Sequence, residues 1–165
     1  MVTLFEKKLA GYIEIIQSFV IAVFIPAFGF LLQGRDLHRL VVLLSFPLAL
    51  LLLSQQIASS LRDYGEEMKY GMHSLIGRMG WQRGMSLHNM LILVSYFLLV
   101  FETFVGLPWS IAWRLLLTLP VGLYQIWQMI KIASGVKPNW KLLELNSKAT
   151  IGIIAYLAFI AMWIG

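Results

Sequence analysis

The chain has 165 residues, of which 59% are hydrophobic and 13% charged, and its formal net charge is +5. Ordinary soluble domains are about 25% charged, and a chain of this length cannot hide so much apolar surface from water, so the composition predicts an integral membrane protein. The sequence contains no cysteine, which excludes disulfides, thiolate chemistry and cysteine-ligated zinc or iron–sulfur sites.

Five apolar segments predict a single all-α membrane domain over residues 1–165, built as a bundle of about five transmembrane helices. The third and fifth segments are shorter than the ~20 residues that a membrane helix needs, so we expect their borders to extend. The first is too long for the h-region of a signal peptide and no small-residue cleavage site ends it, so we retain it as a helix. The predicted spans are 11–32, 40–61, 88–103, 110–132 and 149–164.

The basic residues predict how the bundle is oriented. A cytoplasmic N-terminus places all but three of the 13 lysines and arginines inside, the exceptions being Arg35, Arg39 and Arg114. This excess fits the positive-inside rule. Because the basic residues flank the spans and form no separate stripe, we expect membrane lipids around the chain and no nucleic-acid partner.

The first span contains Pro26, which predicts a kink. The second and fourth contain Pro47 and Pro120, which membrane helices tolerate where neighbouring helices satisfy the freed carbonyl groups. Glu14 lies within the first span and Gln56 within the second. Polar groups at such positions are either functional or hydrogen-bonded to a neighbouring helix.

Residues 62–87, between the second and third spans, are predicted to form a cytoplasmic loop that begins Arg62-Asp63-Tyr64-Gly65-Glu66-Glu67-Met68-Lys69. Asp63 and Glu67 are four residues apart, so on a continuing helix both carboxylates share one face. Two carboxylates with Arg62 and Lys69 close by suit a Mg²⁺ ion that carries a phosphate. The spacing alone is more typical of a solvated helix end with an acidic pair and a nearby lysine.

Two histidines allow two interpretations each, and one further glutamate has a single expected position. His73 and His88 could act as proton shuttles or as axial ligands of a haem or chlorophyll-type pigment. Both are also expected simply at the membrane interface. Glu102 lies near the outer border of the third span, where we expect its side chain to reach the headgroups.

A series of short motifs follows the apolar pattern along the chain. Leu61-Arg62-Asp63 is followed by Lys69-x-Gly71 and then by Ser74-Leu75-Ile76-Gly77-Arg78-Met79-Gly80, and the last span opens with Leu145-Asn146-Ser147-Lys148-Ala149-Thr150. This order resembles the second half of the UbiA superfamily of intramembrane prenyltransferases, in particular the dihydroxynaphthoate polyprenyltransferases. The similarity extends over nearly the whole chain, but only the part from Arg62 to Gly80 is motif-specific.

The resemblance implies a site for Mg²⁺ and the diphosphate of a polyprenyl donor, whose prenyl group alkylates an aromatic or other lipophilic acceptor. Asp63 and Glu67 would then bind Mg²⁺, and Arg62 and Lys69 would lie near the phosphate. Three positions depart from the family motif R-D-x-x-x-D-x-x-x-G-K-x-T-L: Glu67 replaces an aspartate, Met72 replaces a basic residue and Ser74 replaces a threonine. Nothing in the chain matches the first family motif, N-x-x-x-D-x-x-x-D.

Three functional hypotheses follow from this comparison of motifs. The chain is a non-catalytic subunit of a larger photosynthetic or respiratory membrane complex, since half of the family chemistry is missing. Alternatively, it is one half of a split Mg²⁺-dependent prenyltransferase that alkylates a quinone or pigment precursor. The third hypothesis is a protein that binds an isoprenoid lipid, a quinone or a pigment. Other integral membrane subunits are expected partners under the first two.

Overall fold

The computed structural model describes residues 12–32, 39–70 and 74–164, with side chains as far as residue 160. Within these ranges the chain is helical and contains no strand. The elements are α1 (Ile13–Phe19), a π-helical turn (Val20–Phe24), α2 (Ile25–Leu32), α3 (Arg39–Tyr70), α4 (Leu75–Met79), α5 (Trp81–Val105), α6 (Trp109–Leu116), α7 (Leu119–Ala133) and α8 (Trp140–Ile164).

Five helical stretches of the described chain are long and apolar enough to cross a membrane, which confirms the number of predicted spans. They are Ile13–Leu32, Arg39–Tyr70, Trp81–Val105, Trp109–Ala133 and Trp140–Ile160. The fold is therefore that of an all-α, multi-pass membrane protein. The side of the membrane on which the N-terminus lies stays a prediction.

The segment 62–87 departs from its prediction as a loop. Helix α3 continues to Tyr70, the short helix α4 follows after three undescribed residues, and α5 already begins at Trp81. Hydropathy marks where the chain leaves hydrocarbon, whereas glutamate, methionine, lysine and arginine are all good helix formers in water. The helix therefore continues beyond the end of the apolar run that predicted it. The third and fifth spans extend beyond their predicted borders, as their shortness suggested.

Each proline has a distinct local consequence. Pro26 follows the π-helical turn, in which the Ile25 amide bonds to the Val20 carbonyl five residues back. A proline lacks the N–H of the normal helical pattern, and a wider turn is one way to accommodate that loss. Pro47 lies inside continuous α3, buried against α5. Pro120 stands in the first turn of α7, directly after a break between α6 and α7 at Leu117 and Thr118.

Helix α3 is the centre of the bundle. It packs against the first span, α5 and α8, while α7 packs against α5 and α8. The apolar core has two parts. One surrounds Leu51, Ile92, Leu99, Leu115 and Ile154, and the other surrounds Ile57, Leu61, Ile76, Met129 and Leu143.

Candidate functional site

Most of the described cations gather at one end of the bundle. Successive spans run in opposite directions, so the start of α1, the end of α3, α4, the start of α5, the end of α7 and the start of α8 lie together; we call this the charged end. Of the described lysines and arginines, only Arg39 and Arg114 belong to the opposite end. The charged end carries Arg62, Lys69, Arg78, Arg83, Lys131, Lys137, Lys141 and Lys148.

The two carboxylates that the sequence assigned to a metal both lie on α3. Because α3 is continuous through Tyr70, their spacing of four residues does place them on one helical face. The Asp63 carboxylate accepts two hydrogen bonds from Arg62, at 2.7 Å from Nε to Oδ1 and at 3.0 Å from Nη2 to Oδ2. The Glu67 carboxylate accepts a hydrogen bond from the Ser74 hydroxyl. Each acid is thus engaged by a partner of its own.

Arg62 forms a second ion pair, with Glu144 on α8. Glu144 also binds Lys148 one turn further along α8, with 2.6 Å between Nζ and Oε1. The resulting chain Asp63–Arg62–Glu144–Lys148 connects α3 to α8. Arg62 was predicted to lie near a phosphate, and here it already faces two carboxylates. Lys69 is exposed in the last turn of α3.

Ser74 connects this group to α4. Its hydroxyl accepts a hydrogen bond from the Gly77 amide at 3.0 Å while donating to Glu67, so Ser74 caps the N-terminus of α4. The Leu75 amide donates to both carboxylate oxygens of Glu14 at 3.2 Å, and the Ser60 hydroxyl donates to Glu14 at 3.4 Å. Of the two interpretations of Glu14, the structure therefore supports hydrogen bonding between helices.

The Asp63 and Glu67 carboxylates are hydrogen-bonded to different partners, Arg62 and Ser74. Within the described ranges, no group of three or more histidine, aspartate or glutamate side chains is placed to hold a metal ion. Mg²⁺ can be held by one or two carboxylates together with phosphate oxygens and water. Arg62 donates to both oxygens of Asp63, which uses two of the about four lone-pair positions of the carboxylate. A metal ion bound to Asp63 would therefore lie beside the guanidinium, whose positive charge opposes its binding.

Two residues expected at membrane borders lie in the interior. His88 is fully buried on α5, two turns after the start of that helix, although the sequence predicted it as the first residue of the third span. Glu102 is also buried. Burial by the neighbouring helices contradicts the expectation that the Glu102 side chain reaches the headgroups, whereas the interfacial position of His88 stays a prediction. Helix α5 begins seven residues before the predicted border at residue 88, so His88 is not at the start of the helix. His73 and Met72 lie outside the described residues.

Three buried side-chain atoms have no hydrogen-bond partner in the described part of the chain. They are Oε1 of Gln56, Nε2 of His88 and Oε2 of Glu102. Nδ1 of His88 does contact Oδ1 of Asn89, at 3.4 Å. Polar groups left unpaired inside a membrane bundle are candidates for contact with a ligand or with another subunit.

Fold and site together define a class, the multi-pass all-α membrane proteins with a charged cluster at one end of the bundle. No model of a known protein family matches the chain, and no curated protein or solved structure matches it at a significant level. Its resemblance to the UbiA superfamily therefore stays a prediction from motifs.

Proposed function

We propose that this chain is a non-catalytic helical subunit of a larger photosynthetic or respiratory membrane complex, derived from a UbiA-type prenyltransferase. One observation carries the proposal. Asp63, the residue that the family motif would assign to Mg²⁺, is occupied on both oxygens by Arg62, and Arg62 in turn binds α8 through Glu144. The motif residues thus serve as a connection between two helices.

The charge balance of this connection supports the same conclusion. A diphosphate leaving group needs uncompensated positive charge as its bond breaks. Arg62 shares its charge with two carboxylates, and Lys148 is paired with one of them. The two cations and two anions of this network balance, so Arg62 itself brings no uncompensated positive charge to a diphosphate.

One observation favours the split prenyltransferase as a second candidate. Asp63 and Glu67 share a face of α3 at the charged end, and the Asp63 side chain is 45% exposed. A second chain could therefore approach it with the missing aspartate motif. In that event Arg62 would exchange Asp63 for the phosphate, and Asp63 would become a ligand of Mg²⁺.

The deciding experiment is mass spectrometry of the intact complex, extracted from its own membrane in mild detergent. The proposal expects stable integral partners that carry pigment or redox groups. An equimolar partner with aspartate-rich helices would overturn it in favour of the split enzyme. Recovery of the chain alone would overturn both.

Substitution of Asp63 separates the two candidates further. In the native complex, Asp63→Asn should leave complex assembly and any Mg²⁺-dependent prenyl transfer unchanged, because the proposed role of the side chain is an exposed ion pair of small energetic value. Glu66→Gln is the matched control, since it removes a nearby exposed carboxylate on the same helix. Loss of prenyl transfer in Asp63→Asn alone would contradict the proposal.

A further inference from the structure

A surface depression of about 510 Å³ opens at the charged end, between the end of α3 and the connection from α7 to α8. Three of its six lining residues are cations, and none is an acid. The lining consists of Arg62, Lys137, Pro138, Asn139, Trp140 and Lys141.

The two lysines supply the net charge of this depression. Arg62 is compensated by Asp63 and Glu144, as described above. Lys137 and Lys141 are exposed, and no described carboxylate lies within ion-pair distance of either. Their positive charge is therefore available to an anion from outside the chain.

Packing and helix capping fix the backbone at the rim of the depression. Trp140 is half-buried and packs against the core around Ile57, Leu61 and Leu143. Asn139 caps α8, with its Oδ1 accepting from the Leu142 amide at 3.2 Å. The lysines thus project from a fixed backbone beside an indole ring.

The position of the depression distinguishes a membrane ligand from a soluble one. It lies where α8 begins, at the end of an apolar span, and tryptophan is typical of the headgroup level of a bilayer. Basic pockets between transmembrane helices at this level suit anionic lipid headgroups. Trp140 and Pro138 add an apolar wall next to the cations, which fits a ligand that is charged at one end and apolar at the other.

We propose that this depression binds the phosphate headgroup of an anionic phospholipid. Lys137 and Lys141 bind the phosphate, and Trp140 packs against the glycerol and the first carbons of the acyl chains. The assignment does not depend on the proposed function, because the two lysines that bind the phosphate lie outside the metal motif and no protein partner is needed.

The test is a titration of delipidated, detergent-purified full chain with phosphatidylglycerol, and separately with phosphatidylcholine of the same acyl chains, with bound lipid counted by native mass spectrometry. The variant is Lys137→Gln/Lys141→Gln. The matched control is Arg83→Gln/Lys131→Gln, which removes the same charge from the same end but outside the depression. We expect phosphatidylglycerol to bind the first variant about 25-fold more weakly than the wild type, roughly fivefold for each lysine removed. The control should stay within a few-fold of the wild type.

Three results would overturn the proposal. One is equal binding of the two lipids by the wild-type chain, and another is equal loss of phosphatidylglycerol in both variants. The third is displacement of phosphatidylglycerol by inorganic phosphate at similar concentrations, which would identify a site for a soluble anion. All four substituted side chains are exposed, and Lys131 also lies 4.7 Å from the centroid of the Trp127 ring, a surface contact of small energetic value. The thermal unfolding midpoints of the lipid-free variants should therefore stay close to that of the wild type.

Discussion

His88 is fully buried, and its Nε2 atom has no partner in the described part of the chain. Leaving such an atom unpaired in the interior costs about 1–3 kcal/mol. We therefore expect His88→Leu to raise the free energy of unfolding by about 1 kcal/mol, measured as an increased thermal midpoint in detergent. His88→Asn is the control, since it keeps a polar group at the site and should bring no gain.

A lower midpoint for His88→Leu in protein freshly extracted from its own membrane would contradict this prediction. It would mean that a group outside the chain, such as a pigment or a quinone, binds the imidazole of His88, and that the leucine variant no longer binds this group. Measuring both midpoints again after removal of lipids would show whether a ligand is bound. Only a bound ligand makes the difference in midpoint between His88→Leu and the wild type change when lipids are removed.

At the scale of single residues, the sequence could predict neighbours along a helix but not across the bundle. The common face of Asp63 and Glu67 follows from their spacing on continuous α3. The ion pair of Arg62 with Glu144 joins residues 82 positions apart, so no local pattern indicates it. The pairing of Glu14 with the Leu75 amide is equally non-local, because it depends on how the first span meets α4.

At the scale of elements, one buried hydrogen bond connects α5 to the break between α6 and α7. The Thr118 hydroxyl donates to the Leu115 carbonyl at 2.7 Å, so the Tyr96 hydroxyl is the donor in its 2.9 Å contact with Thr118. Tyr96→Phe removes that donor, and we expect a loss of about 1 kcal/mol in the free energy of unfolding. Tyr156→Phe, at an exposed position on α8, should change the thermal midpoint little. Equal effects of the two substitutions would refute the assignment of this bond.

The close approach of α7 to α5 leads to a second prediction at the scale of elements. A Cβ atom added at Gly122 would lie 2.6 Å from Cε2 of Tyr96 and 3.2 Å from Cγ2 of Ile92. The buried ring is held by its bond to Thr118, so we expect Gly122→Ala to destabilise the protein by about 1–3 kcal/mol. The matched control is Gly29→Ala on α2, where a Cβ meets nothing within 4 Å.

Chemical denaturation in mixed micelles would measure both glycine variants. The control should be neutral or slightly stabilising, because alanine is the better helix former. If Gly122→Ala were as stable as the control, α7 would not lie as close to α5 as the structure places it.

Hydropathy explains both the success and the errors of prediction for the helices. Apolar runs predicted all five spans because a membrane helix must be apolar along its length in hydrocarbon. They could not predict the continuation of α3 to Tyr70, since a charged helix in water has no apolar run. The break at Leu117 and Thr118 also escaped, because the apolar pattern continues across it and only Pro120 hints at a new helical start.

At the scale of the whole molecule, the predicted orientation can be tested with single cysteines, since the natural chain has none. Ser110→Cys lies at the end with few cations and Ser134→Cys at the charged end, both at exposed positions. With a cytoplasmic N-terminus, a membrane-impermeant maleimide applied to intact cells should label only the cysteine at residue 110. Permeabilisation should then expose the one at residue 134. The reverse pattern would place the charged end outside and contradict the orientation.

The length of α3 has a consequence for how the molecule sits in its bilayer. Its 32 residues extend about 48 Å, against a hydrocarbon core of about 30 Å. Fitting the whole helix inside would need a tilt of roughly 50°, beyond the range of about 0–40° that membrane helices show. Thinner or thicker bilayers would change how much of α3 protrudes, but not the fact that it does. The turns after Leu61 therefore extend as a continuous helix beyond the acyl chains. The charged residues on these turns keep the same position along the membrane normal relative to α8 in membranes of different composition.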